Sequence, residues 1–295
     1  GEINANTLKS AVTKLVQKHE LLRASISETD SDQLCIQPEA GKIFFIEDIS
    51  ALTKEVQNQQ IEQYYDSLNN NPIDLCKDPL FTVHLFILGT NQFRIMIFMH
   101  HIISDPASAD IILQDLTYFY QHVDLIVDEA SIVSFHDYVQ KEQAKHKLPQ
   151  YVENTKKVAT QLTHMERWIN YGDANVNDRQ AGFFQIEMPE ALVNLVNDYA
   201  REQEETLFVI FLSAFAKSLN YLYKQDNFAI GVNISRRNLN VYSNMIGPFS
   251  EQATIAFEPT HWSSDSLIKS NIKAHLQNLF GDDSPSLWQI FKMLK

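Results

Sequence analysis

The amino-acid sequence predicts an α/β protein built as two lobes, and three observations carry that reading. Short apolar runs with strand character alternate with segments whose apolar residues recur at helical spacing. The alternation comes in two blocks, parted by Tyr171-Gly-Asp-Ala-Asn-Val-Asn-Asp-Arg179, a linker by its Asn, Asp and Gly content. A chain of 295 residues, 44% of them hydrophobic, is long enough to bury one large or two small cores. The division is drawn as an N-terminal lobe over 1–170 and a C-terminal lobe over 171–295.

Leu8, Val12, Leu15, Val16, His19 and Leu22 recur at helical spacing, so the first block opens with a helix over about 5–24. Short strands are expected at 34–36 and 43–46, then a surface helix over about 53–69, where Val56, Ile61, Tyr64, Tyr65 and Leu68 are spaced among polar residues. Residues 81–88 and 93–99 flank Gly89-Thr-Asn-Gln92 and read as a hairpin, its second strand buried. A helix over 107–122 follows, with apolar residues at 111, 112, 116, 119 and 120, then two polar helices over about 135–147 and 150–170. In the second block 183–188 reads as a strand, and Pro189 as the first residue of a helix. Residues 207–223 are apolar nearly all round, which predicts a buried helix. Strands at 228–234 and 251–257 and a helix over 264–280 complete the pattern.

Composition excludes several functions. A formal charge of −13 argues against nucleic acid and anionic membrane surfaces, which would repel it. No apolar run approaches the roughly 20 residues that span a bilayer, and residues 1–5 lack the features of a signal peptide. Cys35 and Cys76 are far apart and suggest buried thiols, not a metal site or disulfide framework, so a reducing, cytoplasmic setting is expected. None of the eight glycines forms a phosphate-cradling loop, and no Gly-x-Ser-x-Gly elbow is present.

The most informative stretch is Met99-His100-His101-Ile102-Ile103-Ser104-Asp105-Pro106, between the second hairpin strand and the helix over 107–122. Imidazoles at a strand end facing a helix start suit proton transfer near neutral pH. A histidine pair there also serves as a structural pair, and Asp105-Pro106 is also an ordinary helix start, with Asp as N-cap and Pro as first helical residue.

This block resembles the His-His-x-x-x-Asp-Gly motif of the condensation domains of nonribosomal peptide synthetases, relatives of chloramphenicol acetyltransferase. Four further blocks fall in that family's order: Leu15-Val-Gln-Lys-His-Glu-Leu-Leu-Arg23, Ile73-Asp-Leu-Cys-Lys-Asp-Pro-Leu-Phe81, Phe135-His-Asp-Tyr138, and Asp226 to Arg236 followed by Met245-Ile-Gly-Pro-Phe249. The resemblance implies two chloramphenicol-acetyltransferase-like lobes in a V, with the histidines on the floor of a tunnel. It implies an acyltransferase of secondary-metabolite biosynthesis that forms a peptide bond. A donor thioester on one carrier protein would pass its acyl group to an amine on another. The phosphopantetheine arms belong to the carriers, so the domain itself would bind no cofactor or metal, and its partners would be carrier proteins and neighbouring synthetase domains.

On this reading His101 is catalytic, while His100 is structural because consecutive strand residues face opposite ways. Asp105 and Arg236 would form a scaffold ion pair tying the motif to the second lobe, and one carboxylate has oxygens enough to cap the helix as well. Arg237 is the competing neighbour; Arg236 has the spacing to Gly247 that fits the block. The resemblance adds Arg23 to the structural residues of the site and sets Ser104, Pro106, Ser108, Gly247 and Glu251 along the tunnel.

The chain departs from the family at Pro106, where glycine is usual; if that glycine's N–H aids catalysis, its loss costs on the order of 10²-fold. Glu251-Gln252 replaces the family's Asn-Thr. The family also continues beyond both ends of this sequence, so the expectation is a fragment or a shortened member with a truncated second lobe. Alternatives to peptide-bond formation are a non-catalytic module that recruits a carrier or tailoring protein, an epimerisation domain, and a free-standing acyltransferase using coenzyme A.

Overall fold

Helix α1 (Ala5–Lys18) starts where the Asn4 side chain accepts the Asn6 and Thr7 N–H groups, and buries Leu8, Ala11, Val12, Leu15 and Val16. The single helix expected over 5–24 divides here: His19 leaves the helical region, and Glu20–Arg23 forms a separate 3-10 turn. The computed structural model describes residues 3–31, 33–128, 133–165, 184–237, 240–279, 281 and 284–294.

Two compact units emerge. The first comprises Gly1–Glu142 with Ser235–Ser250; the second comprises Gln143–Ile234 with Glu251–Lys295. The expected division at 170/171, and the linker at 171–179, lie outside the described residues.

In the first unit, β1 (Ala24–Ile26) pairs antiparallel with β2 (Leu34–Ile36). A three-stranded sheet has the order β3-β4-β5, from β3 (Phe44–Asp48), β4 (Phe81–Gly89) and β5 (Gln92–Met99). β3 runs parallel to β4; β4 and β5 form the expected hairpin, closed by Thr90 and Asn91. β4, flanked on both edges, holds the fully buried Phe81, Val83, Leu85 and Phe86. β5 is only half-buried, contrary to expectation, because it is the outer strand and its composition resembles that of the central one. Helix α2 (Lys54–Asn70) packs Ile61 on Phe86 and Ile49, and α3 (Pro106–Gln121) lays Ile111, Ile112, Leu116 and Phe119 into the core shared with α1. Each such apolar side chain contributes about 1.5–3 kcal/mol on burial. Helix α4 (Phe135–Lys145) closes this part of the chain.

The second unit contains α5 (Pro149–Thr163), α6 (Glu190–Glu202), α7 (Leu207–Tyr223), β6 (Phe228–Ser235), β7 (Ser250–Phe257), α8 (Asp265–Leu279) and α9 (Leu287–Leu294). β6 and β7 pair, and α7 and α8 supply the rest of their core. Two expectations change. Helix α7 buries Val209, Leu212, Ser213 and Ala216 but exposes Phe208, Phe211 and Phe215, since the small sheet covers one face of it. Residues 184–188 join no ladder and expose Phe184 and Ile186, and Pro189 is the N-cap of α6, one residue before its first turn. No single helix among the described residues is long and apolar enough to cross a membrane.

Candidate functional site

The histidine motif begins where β5 stops. The His100 N–H donates to Leu80 O (2.8 Å), extending the strand pairing by one residue, and the chain then folds into a 3-10 turn, His101–Ile103. The two imidazoles make opposite bonds. His100 Nδ1 accepts the Ile102 N–H (3.1 Å), so in the neutral ring the proton sits on Nε2. His101 Nδ1 lies 3.2 Å from Ser104 O; a carbonyl only accepts, so Nδ1 carries the hydrogen and the lone pair is left on Nε2. His101 is exposed and His100 half-buried. A turn of three residues thus yields one imidazole that caps its own backbone and one whose basic nitrogen is free of that turn.

Behind the turn the chain goes under cover. Ser104, Asp105 and Ser108 are all buried. Asp105 is the N-cap of α3, its Oδ1 accepting the Ser108 N–H (2.9 Å) and hydroxyl (2.8 Å), while the Asp105 N–H donates to Ser108 Oγ (3.3 Å). Pro106 occupies the first helical position, where a missing N–H costs no hydrogen bond, and is exposed. The helix-start reading of Asp105-Pro106 therefore holds.

The same carboxylate also takes an ion pair, but from Arg237 and not from Arg236. Arg237 Nη2 reaches Asp105 Oδ1 at 2.7 Å and Nε reaches Oδ2 at 3.1 Å, a two-pronged contact. The side chains are 8% and 1% exposed, so little water screens the pair. The spacing argument failed because strand parity decides. Phe228, Ile230, Val232 and Ile234 of β6 point into the second unit's core, and Arg236 keeps their parity. It is itself buried and engaged, with its N–H on Phe249 O. Arg237, one residue on, faces the other way. Because Ser235–Ser250 belongs to the first unit, the pair lies wholly within that unit and is not a tie to the second.

Arg237 also organises the segment around it. Its guanidinium donates to the carbonyls of Tyr242 (3.0 Å), Met245 and Gly247 (3.2 Å) and to Ser108 Oγ (3.1 Å), and lies 4.3 Å from the Phe249 ring centroid. Ser108 Oγ also bonds Gly247 N (3.1 Å) and O (3.2 Å). Tyr242 and Phe249 pack on Phe135 and Tyr138 of α4, which gives the Phe-His-Asp-Tyr block its physical role. Gly247 is required by space: a Cβ there would meet Phe249 at 2.7 Å and Phe135 at 3.1 Å. Burial pushes the Asp105 carboxyl up. The Arg237 and Ser108 hydrogen bonds and Arg237's charge outweigh that, and it ends below the usual carboxylate range.

The remaining expected residues divide. Ser104 is buried, its Oγ on His100 O (3.1 Å) and its carbonyl on His101, so it shapes the turn. Ser108 and Gly247 are enclosed by the Arg237 contacts and do not line open space. Arg23 bonds the carbonyls of Val16 (2.8 Å) and Gln37 (2.9 Å), closing the corner between α1 and β2 and not the histidine turn. Glu251 lies half-buried in β7, in the second unit. Cys35 and Cys76 are free and half-buried, and no group of His, Cys, Asp and Glu suited to a metal occurs among the described residues.

A family model described as "Condensation domain" matches residues 1–279. The chain belongs to the condensation domain family. Nonribosomal peptide synthetase kk1B of Curvularia clavata is 26% identical over 260 residues, covering 84% of this chain and 2% of that protein. The chain spans between 2% and 10% of the length of such curated relatives. Two solved structures share the fold. The X-domain in its complex with OxyB from teicoplanin biosynthesis has a TM-score of 0.81 at 16% identity, covering 100% of this chain and 66% of that one. The epimerization domain from the third module of tyrocidine synthetase B has a TM-score of 0.79 at 16% identity, covering 99% and 68%. At such identities the likeness shows the fold alone, the chloramphenicol-acetyltransferase-like α/β architecture. Condensation domains as a family form peptide bonds by acyl transfer between carrier-borne substrates.

Two side-chain groupings were left unassigned by the sequence. Arg237 is the competing neighbour of Arg236, and its contact with Asp105 distinguishes the two. Asp115 of α3 joins Lys18 (2.8 Å) and His19 (2.6 Å), two residues of the first family block; nothing in the spacing of α3 marks it.

Proposed function

We propose that this condensation domain catalyses amide-bond formation, with His101 as the proton acceptor. The amine of a carrier-bound acceptor attacks the carbonyl carbon of a carrier-bound donor thioester, and a C–N bond forms. His101 Nε2 takes the proton the nitrogen sheds; the C–S bond then breaks, and the imidazolium returns that proton to the departing phosphopantetheine thiolate. Bonds and protons balance, and the phosphopantetheine arms are substrate handles of the partner proteins. The observation that supports this reading is the bond from His101 Nδ1 to Ser104 O, which leaves an exposed imidazole with its lone pair on Nε2. Asp105 acts at a distance from the chemistry, as the buried post to which the turn and α3 are fastened.

A second reading is a non-catalytic module that recruits a carrier or tailoring protein. Its support is Pro106, which removes the N–H that the family's usual glycine would bring, and the shared fold of an X-domain solved with OxyB. An assay with two loaded carrier proteins, analysed by product mass and chirality, separates the readings. Amide product that falls at least about 10²-fold in His101→Ala, with carrier binding unchanged, supports condensation. Carrier binding with no product from the wild-type chain supports recruitment, and inversion of a carrier-bound residue without an amide supports epimerisation.

A further inference from the structure

Away from the histidine turn, the first unit holds a cavity of about 500 Å³, within the range that accepts a small organic molecule. Its walls are apolar: Leu21, Phe119, Val127, Phe135, Met245 and Ile246 contribute. His101 does not line it. Asp115, which does, is ten residues along α3 from Asp105, about 15 Å of helix.

The polar groups at this cavity are biased in sign. Among the described residues, Lys18 stands against Glu20 and Asp115. Asp115 is bridged by Lys18 Nζ at 2.8 Å and by His19 Nε2 at 2.6 Å. His19 adds no balancing charge at neutral pH: burial lowers its pKa, the Asp115 contact restores only part, and Lys18 lowers it further. Glu20 Oε1 accepts the Ser134 hydroxyl (3.0 Å) and the Phe135 N–H (2.6 Å), and no cation bridges Glu20 among the described residues.

We propose that this cavity binds an apolar ammonium compound, its hydrocarbon or aryl body against the Leu21, Phe119 and Ile246 walls and its ammonium at the Glu20 carboxylate. A carboxylate of the same shape meets like charge there and is rejected; a neutral alcohol gains the apolar contacts only. The site is separate from His101 and does not depend on which reaction the turn performs.

Isothermal titration of the whole chain at neutral pH with phenylbutylammonium, phenylbutanol and phenylbutanoate tests this. The ammonium probe should bind at one site per chain, roughly tenfold or more tighter than the alcohol, and the carboxylate should give no binding. Val241→Trp, at an exposed lining position, should cut ammonium binding at least about tenfold at unchanged melting temperature. Glu20→Gln keeps an acceptor for the Phe135 N–H and should weaken the ammonium probe while leaving the alcohol unaffected. Equal affinity for the three probes, no heat with the ammonium, or full binding by Val241→Trp each overturns the proposal.

Discussion

Asp105 accepts four hydrogen bonds: two from Arg237, one from the Ser108 N–H and one from the Ser108 hydroxyl. With the carboxylate 1% exposed, Arg237→Ala strands a charge that water cannot reach, and also takes a donor from the carbonyls of Tyr242 and Met245. Breaking a buried pair from one side costs about 3–5 kcal/mol. In a unit of this size that is a fall of roughly 6–20 °C in melting temperature. Asp105→Ala should cost a similar amount, through the stranded guanidinium and about 1 kcal/mol of lost capping. Because the two share one interaction, the double variant should be close to the worse single, with a coupling energy above about 1.5 kcal/mol in urea unfolding. Arg236→Ala serves as the control and should show near-zero coupling to Asp105. Zero coupling for Asp105 with Arg237, or strong coupling with Arg236, refutes the reasoning. The pH dependence follows in sign: the Asp105 pKa lies below its unfolded value of about 3.9. Its stabilisation is therefore complete above that value and disappears as pH falls through the native one.

Gly247→Ala forces a methyl to 2.7 Å from Phe249 and should destabilise by about 1–3 kcal/mol, measurable as a lower urea midpoint at unchanged slope. His100→Ala leaves the Ile102 N–H without its acceptor and should cost about 1–3 kcal/mol, read as a lower melting temperature. His19, neutral in the native state because burial depresses its pKa, should make stability drop as pH falls below about 6.5, where the unfolded imidazole protonates first; a His19→Gln variant should show a shallower drop between about pH 7 and 5. Pro106→Gly restores the family's residue at an exposed first-turn position and should lower stability by about 0.4–1 kcal/mol, while a rise in turnover would show that the returned N–H serves the reaction.

Local chemistry alone determined much of this protein. Helical spacing located α1 and α3, turn chemistry located the β4–β5 hairpin, and Asp105-Pro106 announced the start of α3. The histidine turn was legible for the same reason, since its bonds join residues no more than four apart. What tertiary structure alone decided lies where residues distant in the chain meet. The choice between Arg236 and Arg237 depends on which of the two side chains reaches Asp105, some 130 residues upstream, and two adjacent arginines are indistinguishable until the fold brings those segments together. Burial followed the same logic. β4 and β5 have similar composition, yet of the two only the strand with neighbours on both edges holds fully buried residues, and α7, apolar nearly all round, is covered on one face because the sheet beneath it has two strands among the described residues. Composition states what a segment can bury; the neighbours that the fold brings to it decide how much is buried.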